Sequence, residues 1–374
     1  MSFVIYTNAL SEHQLPLAKE IVKWVGENNF RYIYTELNGQ KFQQSEERLP
    51  WAMFEENNRE EAEHWVEDAD VVLVGGMRPI ELMEQRLRAG KTTLYMSERW
   101  FKPVPLGSVR LLLPGWVRLF VPSYWKMAKR FANLFKHEKY RFLPIGPWAK
   151  KDMGLMCKVF GIRMAEENVI PWGYFVASSF AKVAEAKPSD GILKILWVGR
   201  MLDWKRVDTI IRAVARVIKL KSKGKVEQRR DISLTLVGDG PERERLMKLA
   251  ERVNSTVRLC ASTSPIITFL PSQPIAKIRE IMRGHDVYVL ASNGDEGWGA
   301  VLNEALEEGM DVIGTYDAGS SAAILPKDRL YHAGDVKTLA ALIEKEYNNE
   351  LPPCSIGEWT AAKAAERLIA LCEV

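Results

Sequence analysis

The chain has 374 residues, 47% hydrophobic and 27% charged, which is the make-up of a folded globular protein and not of a disordered or fibrous one. That length exceeds one ordinary core, so two domains of about 150 to 200 residues are expected. The net charge of +4 is modest, no stretch reaches the ~20 apolar residues of a membrane span, and the start MSFVIYTNALSEHQ lacks the basic opening of a secretory signal; a cytoplasmic location is expected.

In chain order, Phe3 to Tyr6 reads as a first strand and Leu15 to Val25 as a helix with Leu17, Ala18, Ile21, Val22 and Val25 on one face. Further strands are expected at Tyr32 to Thr35, Val71 to Val74 and Thr92 to Met96 with helices between them, the alternation of a parallel sheet. Ligands gather at the carboxyl ends of such strands, which singles out His13, Gly75, Gly76, Arg78, Ser97, Glu98 and Arg99. His13 reads equally as a helix-packing residue, and Arg78 as a surface residue at a helix start.

Charge is unevenly spread. Ser45 to Asp70 is acidic, whereas Lys102 to Lys151 holds eleven Lys or Arg and one acid, Glu138. Within it, residues 109–142 interleave Trp116, Phe120, Tyr124, Trp125, Phe131, Phe135, Tyr140 and Phe142 with Arg118, Lys126, Lys129, Arg130, Lys136, Lys139 and Arg141. Such a mixture suits anionic lipid headgroups or nucleic acid, and it also reads as a helix with an aromatic inner face and a solvated basic outer face. The four cysteines, Cys157, Cys260, Cys354 and Cys372, lack paired spacing and read as buried reduced thiols.

The cluster Ala186, Lys187, Pro188, Ser189, Asp190, Gly191 breaks regular structure and marks a boundary, giving domains 1–180 and 181–352 and a C-terminal helical segment 353–374. A strand Leu193 to Val198 then runs into Gly199, Arg200, Met201, Leu202, Asp203, Trp204 and Lys205, followed by a helix from Val207 to Lys219. Gly199 allows a tight approach there, and Arg200 and Lys205 bring two cations to the sheet edge. Leu234 to Val237 leads into Gly238, Asp239, Gly240 and Pro241; the third glycine of a dinucleotide fingerprint is replaced by Arg243, so that motif is excluded. Ile266 to Leu270 is a further strand, and Asp335 to Tyr347 and Glu358 to Leu371 are helices.

Between them lies the most informative stretch, Asp286 to Thr315. Val287 to Ala291 reads as a buried strand, Ala300 to Leu306 as a helix stopped by Gly309, and Val312 to Thr315 as a short strand. The turn Asp295, Glu296, Gly297, Trp298, Gly299 sets backbone amides at a helix start on the carboxyl edge of a sheet, the makings of an anion site. Glu296 and Glu304 frame it. Asp317 to Ser321 is a small-residue loop suited to close phosphate contact, with Ser320 a candidate. No metal-ligand cluster is visible.

The spacing of Glu296 and Glu304 resembles the signature of retaining glycosyltransferases of the two-domain GT-B architecture, family 4, and Gly199, Arg200 and Lys205 are similar to that family's diphosphate-binding residues. The resemblance covers most of Ile192 to Tyr347 by motif and the first domain by architecture. It implies an α/β fold of two facing Rossmann-like parallel-sheet domains with a cleft between them, and a last helix that crosses back over the first domain. By the same resemblance Glu304 binds ribose hydroxyls, Glu296 a hydroxyl of the donor sugar, Gly238 lies near the nucleoside, and Leu270 lies where the backbone meets the base. Gly297, Trp298, Gly299 and Ala300 are then donor-binding; His13, Gly76 and Glu98, by their place after strands, and Ser320, by its small-residue loop, are candidates for the cleft.

Departures from the family pattern are Ser97, Glu98 and Arg99, where many members carry a histidine or aspartate, and Ala322 and Ala323, where a glutamate is usual. The expected reaction moves a hexosyl unit from a nucleotide diphosphate sugar to a hydroxyl acceptor with retention, in bacterial surface polysaccharide or glycolipid assembly. Arg200, Lys205 and the turn amides neutralise the leaving diphosphate, so neither a cofactor nor a metal is expected. The expected partners are the donor, a sugar or lipid-linked sugar acceptor, and an anionic membrane surface at the inner face of the cell membrane, met through residues 109–142; nucleic acid is not among them. The competing readings are a sugar nucleotide epimerase of the same fold and a non-catalytic nucleotide- or lipid-binding protein.

Overall fold

The computed structural model describes residues 1–36, 49–76, 78–102, 104–105, 112–177, 191–222, 231–258 and 266–372. Cys260, the breaker at 186–190, and the ends of the acidic and basic stretches at 45–48 and 109–111 lie outside them. The chain forms two compact units, one of Met1–Ser178 with Glu358–Val374 and one of Ser179–Gly357.

The first unit contains β1 (Phe3–Thr7), α1 (Leu15–Val25), β2 (Phe30–Tyr34), β3 (Ala52–Phe54), α2 (Arg59–Asp68), β4 (Val71–Gly75), α3 (Ile80–Arg88) and β5 (Thr92–Ser97). These are followed by the two-residue β6 (Val104–Pro105) and β7 (Leu112–Leu113), α4 (Pro122–Asn133), β8 (Tyr140–Pro144) and α5 (Pro147–Val159). Its main sheet has the order β3-β2-β1-β4-β5-β8 and is parallel throughout. Every residue of β1 and β4 is buried, as expected of central strands covered on both faces. In α1, Leu17, Ala18 and Ile21 turn inward at helical spacing, and Pro16 sits in the first turn, where its missing N–H is no loss.

The second unit contains β9 (Ile192–Val198), α6 (Val207–Ser222), β10 (Asp231–Val237), α7 (Arg243–Arg258), β11 (Ile267–Leu270), α8 (Ile275–Arg283), β12 (Val287–Leu290), α9 (Val301–Glu307), β13 (Asp311–Thr315), α10 (Gly319–Ile324), β14 (Leu330–Tyr331) and α11 (Val336–Tyr347). The sheet order is β11-β10-β9-β12-β13-β14, again all parallel. Two Rossmann-like halves are therefore present, each with its own apolar core. The last helix, α12 (Ala361–Cys372), packs on α1 and so belongs to the first unit. Its Ala361 amide bonds the Val176 carbonyl at 2.9 Å, and Phe175 stacks on Trp359.

Three expectations need correction. The described part of residues 109–142 is not one helix: Pro114 and Pro122 punctuate it into β7, a tight turn over Gly115–Phe120, and α4, after which Tyr140 and Phe142 enter β8 as buried core. The strand β3 was not foreseen; three residues are too short to display a period. Of the cysteines, Cys157 is buried, with its thiol pushed up to about 12 by desolvation, but Cys354 and Cys372 are only half-buried. No described helix is long and apolar enough to cross a membrane.

Candidate functional site

In each sheet the strand order reverses beside the first strand of the unit, between β1 and β4 and between β9 and β12. The loops leaving those strands diverge and leave a crevice at the carboxyl edge. In the second unit the two loops are Gly199–Arg206 and Ala291–Ala300.

They are tied together at several points. The Asn293 amide donates to the Trp204 carbonyl at 2.9 Å, and the Lys205 ammonium forms an ion pair with the Glu296 carboxylate, 91 residues away. Glu296 is buried and also accepts from the Ser292 hydroxyl at 2.8 Å, while Lys205 lies 4.5 Å over the Trp204 ring. Arg200 is exposed on the same loop. On the other flank, the Gly199 amide donates to Val237 O at 3.0 Å and the Gly238 amide to Leu270 O at 3.1 Å. Gly238 has φ +136°, and a Cβ there would stand 1.9 Å from the Gly199 carbonyl oxygen, so two loops pass at a distance that only glycine permits.

Glu304 projects from the first turn of α9 and is half-buried. The Tyr288 hydroxyl, fully buried and donating to Val198 O at 3.3 Å, is pushed well above its ordinary range by burial and then by Glu296 and Glu304. Both carboxylates thus bear electrostatically on one buried phenol of β12. Among the described residues the amides of Gly297, Gly299 and Ala300 donate to no protein acceptor. As α9 is only seven residues long, its dipole is short, and attraction for an anion rests mainly on Arg200, Lys205 and these amides.

Two sequence candidates serve the framework instead. The Trp298 indole is turned into the core, 1% exposed, and donates to Asn303 Oδ1 at 2.8 Å, so only its backbone is left to meet a ligand. Ser320 is fully buried; its hydroxyl donates to Gly299 O at 3.1 Å and its amide to Trp298 O at 2.9 Å, which pins the turn. Ser292 and Tyr288 were missed. The only available signal was their place in or just after the β12 strand.

The first unit holds a pocket of about 500 Å³ at its own crevice, lined by Asn8, Ser11 and Gln14 after β1, by Gly76 and Arg78 after β4, and by Ser97 to Trp100 after β5. Gly76 touches Asn8: a Cβ would fall 1.9 Å from its Oδ1. Glu98 pairs with Lys102 at 3.4 Å. His13 packs against Tyr174 with the rings tilted by 38° and centroids 5.6 Å apart, and burial lowers its basicity. His13 does not itself line the pocket, whereas Tyr174 does. Among the described residues no group of three His, Cys, Asp or Glu side chains is arranged to hold a metal.

Residues 193–349 match the family Glycosyl transferases group 1, a stretch that lies within the second unit. Across the whole chain the fold is similar to the UDP-forming α,α-trehalose-phosphate synthase from Burkholderia xenovorans, with 13% identity, TM-score 0.68, and coverage of 100% of this chain and 99% of that one. It is likewise similar to Anabaena Alr3699/HepE in complex with UDP, at 14% identity and TM-score 0.62 over 100% and 98% of the two chains. The lipopolysaccharide outer core galactosyltransferase WaaB, apo form, aligns at 13% identity and TM-score 0.63 over 100% of both. At such low identity these structural likenesses show the fold alone, that of GT-B glycosyltransferases. No curated protein matches the chain by sequence.

Proposed function

We propose that a chain whose second unit carries the match to the group 1 glycosyl transferases works as a retaining transferase, moving a hexosyl unit from a nucleotide diphosphate sugar to a hydroxyl acceptor. The observation that carries this reading is the Lys205–Glu296 pair, with Arg200 on the same loop as Lys205, set at the strand-order reversal of that unit. The UDP bound by the Anabaena protein supports a nucleotide donor.

In the proposed reaction the bond from the sugar C1 to the diphosphate oxygen breaks and a bond from C1 to the acceptor oxygen forms on the same face. The acceptor's proton passes to the departing phosphate oxygen. Arg200, Lys205 and the free turn amides stabilise charge on the diphosphate as it develops, a role that needs no divalent ion. Glu304 holds the ribose hydroxyls. Glu296, fixed by Ser292 and Lys205, holds a hydroxyl of the donor sugar.

The first unit takes the acceptor. It also exposes Phe120 at 79%, Val121 at 50%, Trp116 at 45% and Trp125 at 41%, with Lys126 and Lys129 alongside. Exposed aromatics beside cations suit an anionic bilayer surface, consistent with action on surface polysaccharide or glycolipid at the inner face of the cell membrane.

The test is a thermal-shift titration with nucleoside diphosphates and their sugars, followed by assay of donor hydrolysis. A bound ligand at ~100 times its dissociation constant adds ~2.7 kcal/mol of stability. Stabilisation by one nucleotide class with slow release of free sugar is expected. No shift with any donor sinks the reading, and a new nucleotide sugar in place of free sugar points to an epimerase.

A further inference from the structure

The pocket of the first unit has a charge balance that sugar transfer does not demand. Arg78, Arg99, Lys102 and Arg118 line it against one lining carboxylate, Glu98. Lys102 takes Glu98, and Arg99 stands 3.9 Å from Asp152, a carboxylate already held by the Trp100 and Phe101 amides at 2.8 and 2.9 Å. Two guanidiniums remain. Arg78 lies over the Trp100 ring, 3.9 Å from its centroid, and Arg118 donates to the Trp100 carbonyl at 3.3 Å; among the described residues neither forms an ion pair.

Both converge on one rigid fixture. The Trp100 indole is 1% exposed and its Nε1–H donates to Ser97 Oγ at 3.1 Å. A guanidinium stacked on a fixed ring keeps its N–H edge pointed outward, ready for a planar fork. Uncompensated positive charge in a concave site raises the local concentration of anions, and a phosphate offers enough oxygens to engage two forks at once.

The geometry points to a phosphorylated sugar as the occupant of this pocket, with Arg78 and Arg118 on the phosphate and Asn8 and Ser11 near the hydroxyls. This rests on the acceptor role proposed for the first unit. The phosphate belongs either to a soluble sugar phosphate or to a lipid-linked sugar.

Calorimetric titration of the full chain without donor separates the sources. The probes are a hexose 6-phosphate, a hexose 1-phosphate, the neutral hexose, and a sugar diphosphate on a short isoprenyl chain. Binding by a soluble phosphate assigns the first source, and binding by the isoprenyl probe alone assigns the second. In either case the neutral hexose should bind at least ~10-fold more weakly, and Arg78→Gln and Arg118→Gln should each lose about 10- to 100-fold. Arg78→Lys, which keeps the charge and loses the fork, should recover part of that loss and guards against a folding defect in Arg78→Gln. Equal affinity for neutral and phosphorylated sugar, unchanged affinity in both Gln variants, or no binding of any phosphorylated probe overturns the proposal. UDP titrated in parallel reports on the second unit, so failure of the donor reading and failure of this pocket are seen separately.

Discussion

Glu296 and Glu304 flank one turn but stand in different surroundings. Glu296 is buried and bonded to Ser292 and Lys205, whereas Glu304 is half-buried on α9. Glu304→Ala should therefore weaken nucleoside diphosphate and complete donor alike, by ~1.5 to 3 kcal/mol, while Glu296→Ala leaves nucleotide affinity nearly intact and slows transfer. Calorimetry with both ligands decides, and equal losses for the two variants reject the assignment. Because Lys205 and Glu296 touch, their effects on turnover should not add. The double mutant should show a coupling of ~0.5 to 3 kcal/mol, and strict additivity would contradict a working pair. The glutamate spacing and the two cations could be picked out along the chain, since each follows a strand. Their pairing could not, because it depends on which strands become neighbours. Nor could the inward turn of Trp298, which rests on Asn303 being placed to accept its indole N–H.

At the level of elements, strands and helices with clean periodicity were legible to within about three residues: α1 runs from Leu15 to Val25 as expected, whereas α6 runs on past Lys219 to Ser222 and α12 begins at Ala361 and not at Glu358. The basic aromatic stretch was not, because its aromatics serve two masters. Phe131, Phe135, Tyr140 and Phe142 fill the core, and Trp116, Phe120 and Trp125 face outward. Its cations divide as well, since Arg130 is held by Glu81 and Glu84 at 2.6 and 2.8 Å and is not free for lipid. Replacing Lys126 and Lys129 by Gln should weaken binding to anionic vesicles by ~1 kcal/mol per charge, and Phe120→Ser should weaken it further. Arg130→Gln should leave it unchanged. Vesicle flotation that detects no binding of the parent chain rejects the surface.

On α11, Glu346 is held at about 7, above its ordinary 4.5, by burial, with Arg329 opposing the shift and Asp311 adding to it. The folded state thus holds this proton more tightly than the unfolded one. The stabilisation is complete below 4.5 and is lost as pH rises through about 7. Glu346→Gln should flatten the fall in melting temperature between about pH 5 and about pH 8, and an identical fall in parent and variant would show that this carboxyl is not responsible.

For the whole molecule, the two-unit plan could be read from length and from alternating strands and helices, and the crossing-back of the last helix was expected only by resemblance. Within the first unit α12 lays Ala361, Ala364, Ala365, Leu368 and Ile369 against the fold. Removing residues 361–372 uncovers α1 and should cost the first unit ~3 to 6 kcal/mol from Leu368 and Ile369 alone, at ~1.5 to 3 kcal/mol for each large apolar side chain. Hydrogen exchange should then speed up in β1 and α1 and stay unchanged in β9 and β12. Uniform acceleration in both units would refute independent cores.

The same helix sets an order of events during synthesis. Residues 179–357 are contiguous and carry a complete sheet, so the second unit can fold as soon as they have left the ribosome. The first unit, although made earlier, keeps the α1 face bare until residues 361–372 arrive to cover it, and a chaperone that binds apolar surface on the nascent chain would find its target there.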